Sequence, residues 1–202
     1  MKLQSRRLDL SPLTATELSL AVNDYEELQR QLGLRCISTP LDEEMLYAMR
    51  VRHTKVLQDQ ENYMWLTNWA IIHQEDQCII GFIILKGGPN ELGEVIVGYV
   101  VDEEYRRKGY ATEALQTLIQ WIFSHPGAQS IIADTEKDNM ASHQVLKHLG
   151  AQQYRETEDL FWWRIAKKNA TLKARPLKKS FRISNRHSPH FFEENVYLFR
   201  YT

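Results

Sequence analysis

The chain has 202 residues, 43% of them hydrophobic, with 25 Lys and Arg against 26 Asp and Glu. Such a chain forms one domain, or one domain with a tail, and buries a core without a disulfide or metal staple; collagen-like, disulfide-framework and wholly disordered classes are excluded. The net charge of -1 gives no global attraction to DNA or a membrane, but residues from Lys167 onward hold nine basic and two acidic side chains (+7), which leaves -8 on residues 1–166.

Arg7-Leu8-Asp9-Leu10 alternates like a short first strand. From about Thr14 to Leu32 the stripe of Leu18, Ala21, Val22, Tyr25 and Leu28 predicts a helix, which Gly33 ends. A second helix is predicted over Asp42–Gln58, with Met45, Leu46, Met49 and Val56 as its apolar positions. Trp69–Ile72 and Cys78–Leu85 are β-rich runs joined by a polar loop, a hairpin signal. Glu94–Val101 is the next strand, followed by a charged loop and a strongly amphipathic helix over Tyr110–Phe123. Ser130–Ala133 reads as a strand, Met140–Leu149 as a helix closed by Gly150, and Leu160–Ile165 as a last strand. The pattern is α/β, with an antiparallel front half and βαβ-like connections behind.

The two cysteines, Cys36 and Cys78, do not suggest a disulfide; Cys78 lies in an apolar run and reads as a small buried hydrophobe. No apolar h-region follows Met1–Arg7, and no run approaches the ~20 residues that span a bilayer. The reading is a cytoplasmic protein without a membrane partner. The seven histidines and two cysteines show no metal-ligand spacing, so no metal is expected. His143 and His148 lie five apart, off one helix face, and read as solvated. Trp65, Trp69, Trp162 and Trp163 read as core and strand packing, with room for one to line an acceptor groove.

The most informative stretch runs from Gly93 to Thr112. An apolar strand leads into Arg106-Arg107-Lys108-Gly109, and a helix starts there. The first N–H groups of a helix lack internal acceptors and carry the positive end of the dipole. Three cations ahead of them oppose that dipole unless an anion sits between, and Gly109 lets the backbone approach one closely. This is a phosphate or pyrophosphate site, or else a solvated basic loop. The glycines required by a P-loop or a Rossmann turn are absent.

Arg106-x-x-Gly109-x-Ala111 after an apolar strand resembles the acyl-CoA signature of the GNAT acetyltransferases. Tyr110–Leu115, Asn139-Met140-Ala141-Ser142 and Val145–Ala151 extend the resemblance, and Arg7–Leu13 is similar to the opening of the Rim-type branch, which includes acetyltransferases of ribosomal-protein N-termini. The likeness covers about residues 6–165. It implies a mixed, mostly antiparallel sheet flanked by helices and splayed open between the strands at Glu94–Val101 and Ser130–Ala133. It also implies acetyl-CoA as co-substrate, with backbone N–H groups from Arg107 to Thr112 on the pyrophosphate. The backbone of Tyr99, Val100 and Val101 then pairs with the pantetheine arm, and an N–H there polarises the thioester carbonyl. Asn139 caps its helix and contacts the same arm.

Two positions depart from the family pattern. A glutamate expected just before the apolar-Gly-Tyr stretch is Ile96 here, and Glu94, on the same strand face, is the candidate base. A tyrosine expected in the helix after Asn139 is Leu146, and Ser142 is the candidate to protonate the thiolate. The expected activity is N-acetylation of a primary amine, on a protein N-terminus or a small molecule, by direct attack on the thioester. The alternative is a catalytically silent acyl-CoA-binding module. Residues 1–166 form the expected domain, acting as a monomer or homodimer. Residues 167–202 form a basic extension, either disordered or docked back on the domain.

Overall fold

The computed structural model describes residues 1–35 and 40–168. Cys36 and the basic extension beyond Lys168 lie outside the described residues.

The chain runs β1 (Leu3–Gln4), β2 (Leu8–Pro12), α1 (Ala15–Asn23), α2 (Tyr25–Gln31), α3 (Glu43–Gln58), α4 (Tyr63–Leu66), β3 (Asn68–His73), β4 (Cys78–Leu85) and β5 (Glu94–Val101). It continues through α5 (Tyr110–Ser124), β6 (Ser130–Glu136), α6 (Met140–His148), β7 (Gln152–Glu156) and β8 (Leu160–Ala166). The strands form one sheet in the order β1-β2-β3-β4-β5-β6-β8-β7. Among the described residues, only β5 and β6 pair in parallel. The expected mixed, mostly antiparallel sheet flanked by helices is what the chain forms.

Strand alternation divides the core in two. Leu8, Leu10, Trp69, Ile71, Val95, Val97 and Ile131 meet Ala114, Leu118 and Ile122 of α5 and Leu146 of α6 on one face. Ala70, Ile72, Phe82, Ile84 and Val100 meet Leu18 and Ala21 of α1, Leu28 of α2 and Met45, Met49 and Val56 of α3 on the other. The helices on this second face therefore bury residues of β3, β4 and β5. Cys78 is fully buried, as expected, and burial pushes its thiol pKa up.

The helix expected over Thr14–Leu32 is two helices. Asp24 ends α1 and starts α2 in a non-helical conformation (φ -154°, ψ 83°), and its side chain accepts from the Glu27 N–H. Two strands were not expected. β1 is only two residues long, and β7 is exposed at every position, so neither carries an apolar signal. Because β7 intervenes, β8 returns antiparallel to β6, and among the described residues only the β5-α5-β6 unit is a parallel crossover.

Candidate active site

β5 and β6 pair over three residues only: Glu94 with Ser130, Val95 with Ile131, Ile96 with Ile132. Beyond Ile96, β5 stays paired with β4 through Val101, and β6 stays paired with β8 through Glu136. The two strands therefore diverge. The cleft between them is lined by Val97, Gly98 and Tyr99 of β5, Ala133 to Glu136 of β6, Lys86, and Asn139 and Ser142 of α6.

The Ile96 carbonyl accepts from Lys86, and the Asp102 N–H reaches Ile80 on β4. By antiparallel alternation, the backbone groups of Val97, Tyr99 and Val101 point the other way, into the divergence. The Val101 carbonyl is taken by Nε of Arg106 at 3.0 Å, which closes the loop toward α5. Those of Tyr99 face the cleft.

The loop shape follows from two left-handed residues, Arg107 (φ 59°) and Gly109 (φ 80°). Gly109 is the N-cap of α5 and offers no side-chain cap, so the first-turn amides of Tyr110, Ala111 and Thr112 remain directed outward. The N-terminal segment braces this loop. Arg7 donates to the Lys108 carbonyl at 3.1 Å and to Glu113 at 2.7 Å, and its guanidinium lies 4.3 Å from the centre of the Tyr110 ring. Under the loop, the buried His73 places Nε2 2.9 Å from the Tyr110 hydroxyl and Nδ1 2.8 Å from Asp76. The Tyr105 hydroxyl donates to the same Asp76 oxygen.

On the other wall, the Asn139 side-chain oxygen accepts from the Ser142 N–H at 3.0 Å and caps α6. Its amide nitrogen remains to donate. The Tyr99 hydroxyl donates to the Ser142 carbonyl at 3.3 Å, and burial pushes its pKa up to about 12, so the phenol stays protonated. Ser142 itself lines the cleft.

Asn139, Ser142 and Tyr99 are thus brought together. Glu94 is not among the residues lining the cleft. It stands at the paired end of β5, where its carboxylate accepts from Arg164 of β8 and from Asn90. Leu146 is buried in the core, 1% exposed. His143 is also buried, contrary to expectation. Its ring packs between Phe161 and Trp163, and Nε2 donates to the Glu136 carbonyl at 3.0 Å. His148 keeps the expected exposed position. Trp69 and Trp163 are buried, and no tryptophan lines the cleft. Sequence reasoning missed Lys86, the Tyr99 side chain and Asp134 as lining residues. No cluster of potential metal ligands occurs among the described residues, and none of their helices is long and apolar enough to cross a membrane.

The family model described as "Acetyltransferase (GNAT) domain" matches residues 7–152. The chain is 36% identical over 83 residues to the uncharacterized N-acetyltransferase YjdG of Bacillus subtilis, a match covering 41% of this chain and 49% of that protein. The likeness to YnaD of the same organism is 31% over 84 residues, covering 41% of this chain and 48% of that one. The chain therefore spans about half the length of these curated relatives. Among solved structures, the ribosomal-protein-S5-alanine acetyltransferase of Vibrio fischeri superposes with a TM-score of 0.61 at 18% identity, covering 86% of this chain and all of that one. RimJ of Mycobacterium smegmatis, solved with CoA-disulfide, gives 0.54 at 18% identity, covering 80% and 82%.

Proposed function

Because this chain belongs to the GNAT acetyltransferase family, we propose that it moves the acetyl group of acetyl-CoA to a primary amine by direct attack of the amine on the thioester. The observation that carries the reading is the divergence of β5 from β6 after Ile96, beside a helix start whose amides are uncapped.

The chain's own groups fit this co-substrate. The outward amides of Tyr110, Ala111 and Thr112, with Arg107 and Lys108 adjoining, suit a pyrophosphate. The free backbone edge at Tyr99 suits the amide groups of a pantetheine arm, bound as an added strand. Asn139, with its oxygen committed to the cap, donates from its amide nitrogen to the same arm. The Tyr99 N–H faces the carbonyl oxygen on which negative charge gathers during attack. The Ser142 hydroxyl supplies the proton the departing sulfur needs. The acceptor is an amine on a protein N-terminus or on a small molecule; the Vibrio fischeri relative is named for an alanine of ribosomal protein S5.

The test is thiol release from acetyl-CoA in the presence of short peptides with a free α-amine and simple primary amines such as ethanolamine. Calorimetric titration with acetyl-CoA runs in parallel. Amine-dependent release of CoA with acetylated product is expected. Acetyl-CoA binding without release for any amine leaves an acyl-CoA-binding module instead and overturns the enzyme reading.

A further inference from the structure

Donor-side groups account for only one face of the cleft. Val97, Tyr99, Ala133 and Thr135 alternate toward the α5 and α6 side of the sheet. Gly98 and Asp134 alternate toward the other, and Lys86, opposite Ile96, joins them there. The register sharpens this. Ile96 and Ile132 are the last pair before the strands part, so Gly98 and Asp134 are the first residues on that face past the divergence. Gly98 has no side chain to fill the space that it lines with Asp134.

Two charged groups border that space. Asp134 and Lys86 attract one another's charge, yet no ion pair or side-chain hydrogen bond joins them. Neither is committed to another described side chain. Glu94, on the same face, is held by Arg164 at the closed end. An acid and an ammonium that face one cleft without meeting leave room for a polar guest.

We propose that Asp134 is the general base of the reaction, taking a proton from the acceptor's ammonium group, and that Lys86 is a positioning residue that keeps Asp134 ionised. This deepens the acetyltransferase reading and rests on it. The ammonium gives one proton to the Asp134 carboxylate and keeps the electron pair on nitrogen. That pair forms the C–N bond at the thioester carbon, and the C–S bond breaks. The sulfur takes the second N–H proton through the Ser142 hydroxyl, and the proton on Asp134 leaves to water. The sum is an acetylated amine, a CoA thiol and one proton.

The electrostatics agree. Burial raises the Asp134 pKa above the ordinary carboxylate range, and Lys86 pulls it back. Burial lowers the Lys86 pKa, Asp134 raises it, and Arg52 of α3 lowers it again. The other titratable or charged groups on that face are Glu136 of β6 and the Glu94–Arg164 pair, and Tyr99 of β5 lines the cleft from the opposite face. A raised carboxylate is a stronger base toward an ammonium, provided a cation keeps it charged.

The experiment compares Asp134→Asn, Lys86→Met and Glu94→Gln with the parent, using ethanolamine and hydroxylamine as acceptors. Hydroxylamine is already neutral at pH 7 and needs no base. With ethanolamine, Asp134→Asn is expected to lose about 10²–10⁴-fold in kcat, with acetyl-CoA affinity retained and a much smaller loss with hydroxylamine. Lys86→Met is expected to move the acidic limb of kcat to higher pH, because its cation no longer lowers the Asp134 pKa. Glu94→Gln is expected to keep the parent's pH profile. The proposal is overturned if Asp134→Asn turns over ethanolamine like the parent, or loses equally with both acceptors. Loss of the acidic limb in Glu94→Gln, or of all activity in Lys86→Met alone, overturns it too. A parent that binds acetyl-CoA but acetylates neither amine fails the acetyltransferase reading itself, and the inference falls with it.

Discussion

Arg7 and Glu113, from the first and second halves of the chain, are joined twice. The Arg7 guanidinium Nε lies 2.7 Å from one carboxylate oxygen, and the Arg7 backbone N–H donates to the other at 2.8 Å. Ser5 donates to that second oxygen at 2.8 Å as well. Glu113 lies in the first turn of α5. The N-terminal segment is therefore tied to the loop that precedes this helix. Glu113→Gln should cost about 1–2 kcal/mol and lower Tm by several degrees. It should also raise KM for acetyl-CoA, since Arg7 is what holds the Lys108 carbonyl. Thermal melts and initial rates measure both.

The same pair predicts an acid dependence. Burial alone raises the Glu113 pKa, but the hydrogen bonds from Ser5 and Arg7 and the Arg7 charge outweigh it and hold it below the usual carboxylate value. A carboxyl lowered by folding stabilises above its unfolded pKa, and that stability is lost as pH falls through the folded value. The stability gap between the parent and Glu113→Gln should be full at pH 7 and close as pH falls below about 4. Denaturant titrations across pH 3–7 read it; a gap independent of pH refutes the assignment.

Two glycines should separate folding from binding. A Cβ on Gly81 would lie 2.2 Å from the Val100 carbonyl oxygen, a collision between the backbones of β4 and β5. Gly81→Ala should therefore destabilise by roughly 2–4 kcal/mol. A Cβ on Gly109 meets only Arg7, at 3.6 Å, so its cost is the left-handed φ of 80°, about 1–2 kcal/mol. Gly109→Ala should instead weaken acetyl-CoA binding, because it puts a methyl group beside the outward amides. Chemical denaturation and calorimetry distinguish the two variants.

Ser142→Ala should lower kcat about 10–100-fold with little change in KM for acetyl-CoA, if its hydroxyl serves the departing sulfur. Tyr99→Phe removes the bond to the Ser142 carbonyl and should cost about 1 kcal/mol in stability. Single-turnover kinetics with each variant isolate the chemical step.

Tyr110→Phe should cost about 1–3 kcal/mol, because His73 is 6% exposed and loses its Nε2 partner. Tyr110 opens α5, so KM for acetyl-CoA should rise in parallel. Equal KM in the variant would separate the His73 network from the loop.

The apolar strands and the amphipathic helix were legible because burial writes itself as periodicity. Cys78–Leu85 and Glu94–Val101 are strands with the expected bounds, and Tyr110–Ser124 ends one residue later than expected. Backbone events without an apolar signature were not legible. The stripe of Leu18, Ala21, Tyr25 and Leu28 runs unbroken across the helix break at Asp24, and β7 pairs through its backbone while exposing every residue. At the site, periodicity assigns Glu94 a face but not a height along the strand. Register does that, and it leaves Glu94 below the divergence and Asp134 above it. Asp134 escaped notice because a charge after Ile131-Ile132-Ala133 reads as the end of a strand, whereas β6 continues to Glu136. The loop and helix start at Arg106-x-x-Gly109-x-Ala111 were legible because the motif is contiguous.

Three residue pairs hold β5 to β6, against seven between β6 and β8. The sheet is thus two antiparallel panels sharing a narrow seam. A molecule lying in the gap should act as mortar between the panels. Rigidity should then report occupancy: the unfolding midpoint should climb with the logarithm of acyl-donor concentration above Kd, and exchange of the β5 and β6 amides should slow together as the gap fills.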